Sequence, residues 1–227
     1  LVLPLATSVK VGSLPASVTL ASAVTVEAHG IAALGPIGFS APKATSVTIL
    51  AGSLAGAVTI TADLADITLA AKGFGGTSQL NGSTVTAASL EDITGVTVVS
   101  ATTFTAVKVD NITATLSVQD AIISYPLLDN LTAVLTAAKC TSFSAPKLIT
   151  EAGGNIDIKS AANDASSISV KSVAALAQIV DSATLNQLTV SEQANDLNFD
   201  TFVELSVLNY TGKVITGTLT VSASQIS

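Results

Sequence analysis

Along much of the chain, apolar and polar residues alternate one for one, in runs of four to six residues. Such runs place apolar side chains on one face of an extended segment and hydroxyls on the other. The recurring pattern is a large or branched apolar residue, then Ser or Thr, then a mostly small apolar residue, two variable positions and usually another apolar one. It starts at Val18, Phe39, Ile60, Val85, Phe104, Ile123, Phe143, Ile168, Leu188 and Leu205. These ten copies lie about 21 residues apart on average, a spacing expected of solenoid coils. A shorter alternating pattern precedes most copies, as in Val24-Thr25-Val26, Val47-Thr48-Ile49, Ile67-Thr68-Leu69, Val96-Thr97-Val98, Ala114-Thr115-Leu116, Ile156-Asp157-Ile158 and Ala183-Thr184-Leu185. Each coil is therefore expected to carry two strands.

Val, Ile and Thr dominate both patterns, and their branched Cβ atoms suit a pleated surface better than a helix. One short segment cannot bury its apolar face alone, so neighbouring coils must stack. The expected fold is all-β: a right-handed parallel β-solenoid of about ten coils, forming one domain over residues 1–227. Position by position, the stacking predicts two external hydroxyl ladders. One contains Thr19, Ser40, Thr61, Thr86, Thr105, Ser124, Ser144, Ser169, Thr189 and Ser206; the other contains Thr25, Thr48, Thr68, Thr97, Thr115 and Thr184. Ala-rich segments such as Val173–Gln178 are the only helix candidates, because apolar residues nowhere recur at helical spacing over a full window.

Composition narrows the functional classes. The chain has 227 residues, 48% of them hydrophobic but only 4% aromatic and 11% charged, with a net charge of −7. All nine basic residues are Lys. An acidic chain without Arg has no electrostatic footprint for nucleic acid. Mean hydropathy is high at +0.64, yet no stretch reaches the roughly 20 apolar residues of a spanning helix. The opening Leu1-Val2-Leu3-Pro4-Leu5 has neither an initiator Met nor a basic region, which suggests a processed chain or a piece of a longer one.

The strings Phe39-Ser40-Ala41-Pro42-Lys43-Ala44 and Phe143-Ser144-Ala145-Pro146-Lys147-Leu148, each followed by a Thr, Ile or Val run, resemble leucine-rich-repeat-like β-solenoids of the receptor L-domain-like and BspA-like type. The best local match runs from Phe143 to Ser160, around Gly153-Gly154. The chain departs from ordinary leucine-rich repeats in lacking regular Leu positions and an Asn ladder. The resemblance implies a bacterial cell-surface or secreted protein, an adhesin or a surface filament.

Candidate chemistry is sparse. His29, the only histidine, stands two residues from Glu27 in a Gly-containing loop and is expected at the surface. The nearest carboxylate pairs are Asp63 with Asp66, Glu91 with Asp92 and Asp196 with Asp200. They lack the alternating acidic spacing and central Gly of a calcium loop, which leaves a weak calcium site near Asp63 and Asp66 as the metal option. Cys140 reads as a buried structural thiol. Gly73-Phe74-Gly75-Gly76 reads as an inter-coil loop and not a phosphate cradle, since no Lys-Ser/Thr pair or helix follows.

Asn81, Asn111, Asn130 and Asn209 satisfy the N-glycosylation pattern, and Asp181-Ser182-Ala183 resembles a bacterial O-glycosylation acceptor. No catalytic residue, cofactor or metal ligand is assigned. The expected function is a non-enzymatic structural or adhesive module of an extracellular protein or filament. Other subunits or flanking domains are expected at the solenoid ends, and surface glycans as further partners. The variable segments Gly30–Gly38 and Gly73–Ser83 are the expected contact loops. The alternatives are an ice- or polysaccharide-binding solenoid and a polysaccharide-degrading β-helix. For the first, only fragments such as Thr59-Ile60-Thr61 and Thr113-Ala114-Thr115 show the Thr-x-Thr pattern, and with Trp missing and only Tyr125 and Tyr210 present, sugar stacking has little to work with.

Overall fold

A computed structural model describes residues 8–12, 14–22, 24–120, 122–137, 140–150, 154–158, 167–172, 179–181, 185–193, 196–198, 205–212, 215–216 and 221–226. Among them there is no helix, and the paired strands run parallel in stacked coils, forming a parallel β-solenoid of about eight turns. They group into two compact units. The first comprises the described residues up to Val109 with Leu116–Gln119, and the second Asp110–Thr115 with the described residues from Asp120 onward.

A complete turn of the first unit has three strand segments, and each segment stacks on its equivalent in the next turn. The first stack contains β2 (Ser17–Thr19), β4 (Ile37–Ser40), the first half of β7 (Val58–Leu69), the first half of β9 (Ser78–Thr86), β11 (Thr97–Ser100) and β14 (Leu116–Val118). The second contains β1 (Ser8–Val11), β3 (Thr25–Ile31), β5 (Ser46–Ala51), the second halves of β7 and β9, and β12 (Thr103–Thr105). The third is two residues wide: β6 (Ser53–Leu54), β8 (Gly73–Phe74) and β10 (Asp92–Ile93).

Three apolar columns fill the interior of this unit. Val18, Phe39, Ile60, Leu80 and Val99 stack in register in the first; Val9, Val26, Val47, Ile67, Val85 and Phe104 in the second; Leu54, Phe74 and Ile93 in the third. All are buried. Side chains alternate along a strand, so each inward residue leaves its neighbours facing out. After the third stack the backbones of successive turns come too close for a side chain. A Cβ on Gly56 would meet Gly35 and Pro36, one on Gly76 would collide with the Gly56 carbonyl, and one on Gly95 with the Gly76 carbonyl. The glycines at that corner are a steric requirement of the stack.

The second unit also has three stacks. The broadest holds β15 (Ile122–Ser124), the first half of β18 (Ser142–Thr150), β20 (Ser167–Ser172), β22 (Leu185–Gln193), β24 (Leu205–Gly212) and β26 (Val221–Ile226). Another holds β13 (Asn111–Ile112), β16 (Asn130–Leu131) and the end of β18. A third holds β17 (Val134–Ala137), β19 (Asn155–Ile158) and β21 (Ile179–Asp181), while β23 (Leu197–Asn198) pairs with β25 (Ile215–Thr216). Ile123, Phe143, Ile168, Leu188 and Leu208 form the main apolar column.

The fold class matches the expectation from the sequence, but the assignment of repeats to stacks does not. Ile60 stacks on Leu80, and Val85 stacks on Ile67. The ten-copy series therefore jumps from the first stack to the second between Ile60 and Val85, because both stacks present the same apolar-hydroxyl-small signature. The ladders change accordingly: Thr19, Ser40 and Thr61 continue as Asn81 and Ser100, whereas Thr86 and Thr105 align with Thr48 and Thr68. Leu208 and Asn209, not Leu205 and Ser206, align with Leu188 and Thr189.

Thr97 is a further correction. It points inward, fully buried, and its Oγ1 donates to the Gly95 carbonyl at 3.0 Å. Thr184 lies outside the described residues, as does Val173–Gln178. The turn count is about eight where ten were expected. The outermost copy, at Val18, belongs to a level whose third side is a single bridge from Leu34 to Leu54.

The near-identical strings at Phe39 and Phe143 serve different corners. Phe39-Ser40-Ala41-Pro42-Lys43-Ala44 leads into the six-residue strand β5, whereas Phe143-Ser144-Ala145-Pro146-Lys147-Leu148 leads into the two-residue segment Ile149-Thr150. In both, Phe and the small apolar residues are buried and Pro and Lys are exposed. The string encodes a corner, not a side.

Candidate functional site

The second stack of the first unit brings together residues that the repeat list had divided between two ladders. Its outward positions form two columns. One runs Ser8, Thr25, Ser46, Asp66, Thr84, Thr103, and the other runs Lys10, Glu27, Thr48, Thr68, Thr86, Thr105. From β5 to β12 the face therefore reads Ser46-x-Thr48, Asp66-x-Thr68, Thr84-x-Thr86 and Thr103-x-Thr105 in register. Strand geometry sets the rungs about 4.8 Å apart and the two columns about 6.7 Å apart. All eight residues are exposed or half-buried.

Elsewhere in this unit, the hydroxyls of Thr45, Thr97 and Thr102 are tied to the backbone. Thr45 Oγ1 donates to the Val24 carbonyl at 3.3 Å, and Thr102 Oγ1 to the Ser83 carbonyl at 2.8 Å, clamping one turn to the one before it. On the two outward columns the hydroxyl ties join side chains instead: Thr25 Oγ1 donates to Ser8 Oγ at 3.1 Å and Thr84 Oγ1 to Asp66 Oδ1 at 2.7 Å. Among the described residues, the hydroxyls of Thr48, Thr68, Thr86 and Thr105 have no protein partner. Their presence is not explained by holding turns together.

The first stack has no equivalent. Thr61 continues the column of Thr19 and Ser40, but Thr59 is flanked by Gly38 and Gln79, so Thr59-Ile60-Thr61 has no second Thr-x-Thr above or below it. Thr113-Ala114-Thr115 lies in the connection between β13 and β14. The expected loop Gly73–Ser83 is strand over most of its length, with Phe74 fully buried in the third column and Gly75-Gly76 at the corner. In Gly30–Gly38, only residues 32–36 lie outside the strands β3 and β4.

At one end of the array three polar side chains meet. Glu27 Oε2 lies 3.2 Å from both His29 Nε2 and Lys10 Nζ. Hydrogen bonds from His29 and then Lys10 hold the Glu27 carboxyl below its ordinary range. Lys10 and Glu27 are exposed and His29 is half-buried, on β3 and not in the expected loop, because the alternation of β3 runs on through it.

The other candidates are dispersed. Asp66 is on the array and Asp63 exposed at the preceding corner; Glu91 faces Lys72 at 3.9 Å. Asp196 is exposed, and Asp200 lies outside the described residues. Among the described residues, no three His, Cys, Asp or Glu side chains come together as a metal site, the vicinity of Asp63 and Asp66 included. Asn130 Nδ2 donates to Asn111 Oδ1 at 2.9 Å, a two-rung asparagine ladder where none was expected, and Asn209 Nδ2 lies 3.4 Å from Thr189 Oγ1. The amides of these sequon residues are thus engaged within the stack. Asn81 is half-buried with its Oδ1 unpaired. Asp181 closes β21, and Ser182 and Ala183 lie outside the described residues.

Cys140 is buried as expected, with Sγ 3.1 Å from the Ser142 carbonyl, and burial pushes its thiol up to about 11. Tyr125 is also buried, edge-on to Phe143 at a centroid distance of 6.5 Å. Its hydroxyl has no hydrogen-bond partner, and burial, with the nearby Asp120, raises its pKa. Among the described residues no helix is long and apolar enough to cross a membrane. The chain matches no protein-family model, no curated protein and no solved structure.

Proposed function

We propose that the chain is a structural and adhesive module of an extracellular, cell-surface protein or filament, acting through a rigid periodic surface and without turnover. The observation that carries this reading is the in-register hydroxyl array of the second stack, from Ser46 to Thr105. Parallel stacking holds its spacing fixed, so a ligand meets a preformed surface and little side-chain or backbone order is lost on binding. The resemblance of the Phe39 and Phe143 strings to receptor L-domain-like and BspA-like repeats supports a surface location. Neighbouring subunits or flanking domains, docking onto the open strand edges that any unclosed solenoid presents, complete the proposal.

The test uses the purified chain and the double variant Thr68→Tyr/Thr86→Tyr, which places two bulky rings on the array. Retention is measured on intact bacterial cells and on powders of crystalline cellulose and chitin, and on ice as described below. Retention on at least one of these surfaces, lost in the double variant at unchanged circular dichroism, supports the reading. Equal behaviour of the two proteins on every surface overturns it.

A further inference from the structure

We infer that the array recognises an uncharged, periodic lattice of hydroxyl groups, and that this lattice is the surface of ice; the inference rests on the adhesive reading above and names the ligand of that face. The array is electrically quiet. Over the four levels from β5 to β12 its one charged residue is Asp66, whose carboxylate already accepts from Thr84. A mineral lattice of ions would demand rows of charge, and a polysaccharide face is ordinarily gripped by exposed aromatic rings. Neither is present on this face. What it offers is a methyl and an unpartnered hydroxyl from each of Thr48, Thr68, Thr86 and Thr105, with Thr84 and Thr103 alongside in the second column.

The spacing narrows the ligand further. Water in a tetrahedral network with O–H···O distances of about 2.75 Å places second-neighbour oxygens about 4.5 Å apart, and its axial repeat falls at about 7.3 Å. The array repeats at about 4.8 Å along the stack and about 6.7 Å across it. Over the three intervals from Thr48 to Thr105 the first mismatch accumulates to roughly 1 Å, within the reach of a hydroxyl turning about χ1. Ordered water can therefore hydrogen-bond to successive hydroxyls while the methyl groups sit between lattice positions. No covalent step is involved.

The decisive experiment places the intact chain in slowly growing ice and measures the fraction incorporated, together with thermal hysteresis. The wild type is expected to enter the ice and to separate melting from freezing temperatures. Thr68→Tyr/Thr86→Tyr is expected to lose both properties. Thr59→Tyr, on the outward face of the first stack, is expected to keep them. Should the double variant fail to fold by circular dichroism, the milder Thr68→Val/Thr86→Val, which keeps shape and removes the hydroxyls, replaces it and is expected to weaken both properties.

Exclusion of the wild type from ice to the same extent as an inert protein of similar size overturns the inference. If the excluded protein still binds cells, cellulose or chitin through Thr68 and Thr86, ice is the wrong ligand and the adhesive reading stands. If it binds none of them, both fall.

Discussion

Ile60 and Leu80 are register partners in adjacent turns, both fully buried, one inside the other's apolar column. That pairing defines where one turn ends and the next begins, and it carries a stability prediction. Ile60→Ala and Leu80→Ala should each cost about 2–5 kcal/mol, the transfer loss plus the cavity left behind. In a double-mutant cycle the coupling of Ile60 with Leu80 should exceed that of Ile60 with Val85, which belongs to another stack. Urea denaturation of the three single and two double variants checks it, and the reverse order of couplings would show the register to be wrong.

Gly76 and Gly38 make a matched pair of tests. A Cβ at Gly76 would run into the backbone of Gly56, whereas one at Gly38 meets nothing within 4 Å. Neither glycine has a positive φ, so the contrast is one of space alone. Gly76→Ala should lower stability by more than about 1 kcal/mol, while Gly38→Ala should stay within about 0.5 kcal/mol of the wild type. Thermal melts of the two variants decide between them.

Tyr125 buries a hydroxyl that finds no partner. A donor stranded in this way costs about 1–3 kcal/mol of desolvation. Tyr125→Phe keeps the edge-on ring contact with Phe143 and should leave the melting temperature unchanged or higher. A loss of more than about 1 kcal/mol would reveal a partner for the hydroxyl.

Cys140 supplies a pH dependence. Its thiol is raised from an ordinary 9.0 to about 11 in the folded protein, chiefly by burial. The folded state therefore holds a proton that the unfolded chain releases first. Its contribution is fully present below pH 9 and lost as pH rises towards 11. Native protein at pH 8 should react slowly with iodoacetamide, and Cys140→Ala should flatten the decline in stability between pH 9 and 11.

The parallel solenoid was legible because its determinants are local: alternation of period two, β-branched residues, and a recurrence near 21 residues. The burial of Cys140 was equally legible. The array was not, for Ser46, Thr84 and Thr103 belonged to neither ladder. Thr48 and Thr68 stood in one ladder and Thr86 and Thr105 in the other, because the two longer stacks share one signature. A shift from Thr68 to Thr86 changes face unless the inward residue of each level is known. The asparagine rung between Asn111 and Asn130 was hidden for a similar reason, since two rungs are too few to make a periodic signal.

The sequence by itself determined that strands form and that they stack in parallel, since these follow from side-chain shape, alternation and the recurrence of the pattern. The tertiary structure decided which strand lies over which, and hence that Thr48, Thr68, Thr86 and Thr105 share one column while Thr97 turns inward. Register between turns is set by how long each corner is and by what packs beneath it, and neither is encoded in the strand segments themselves.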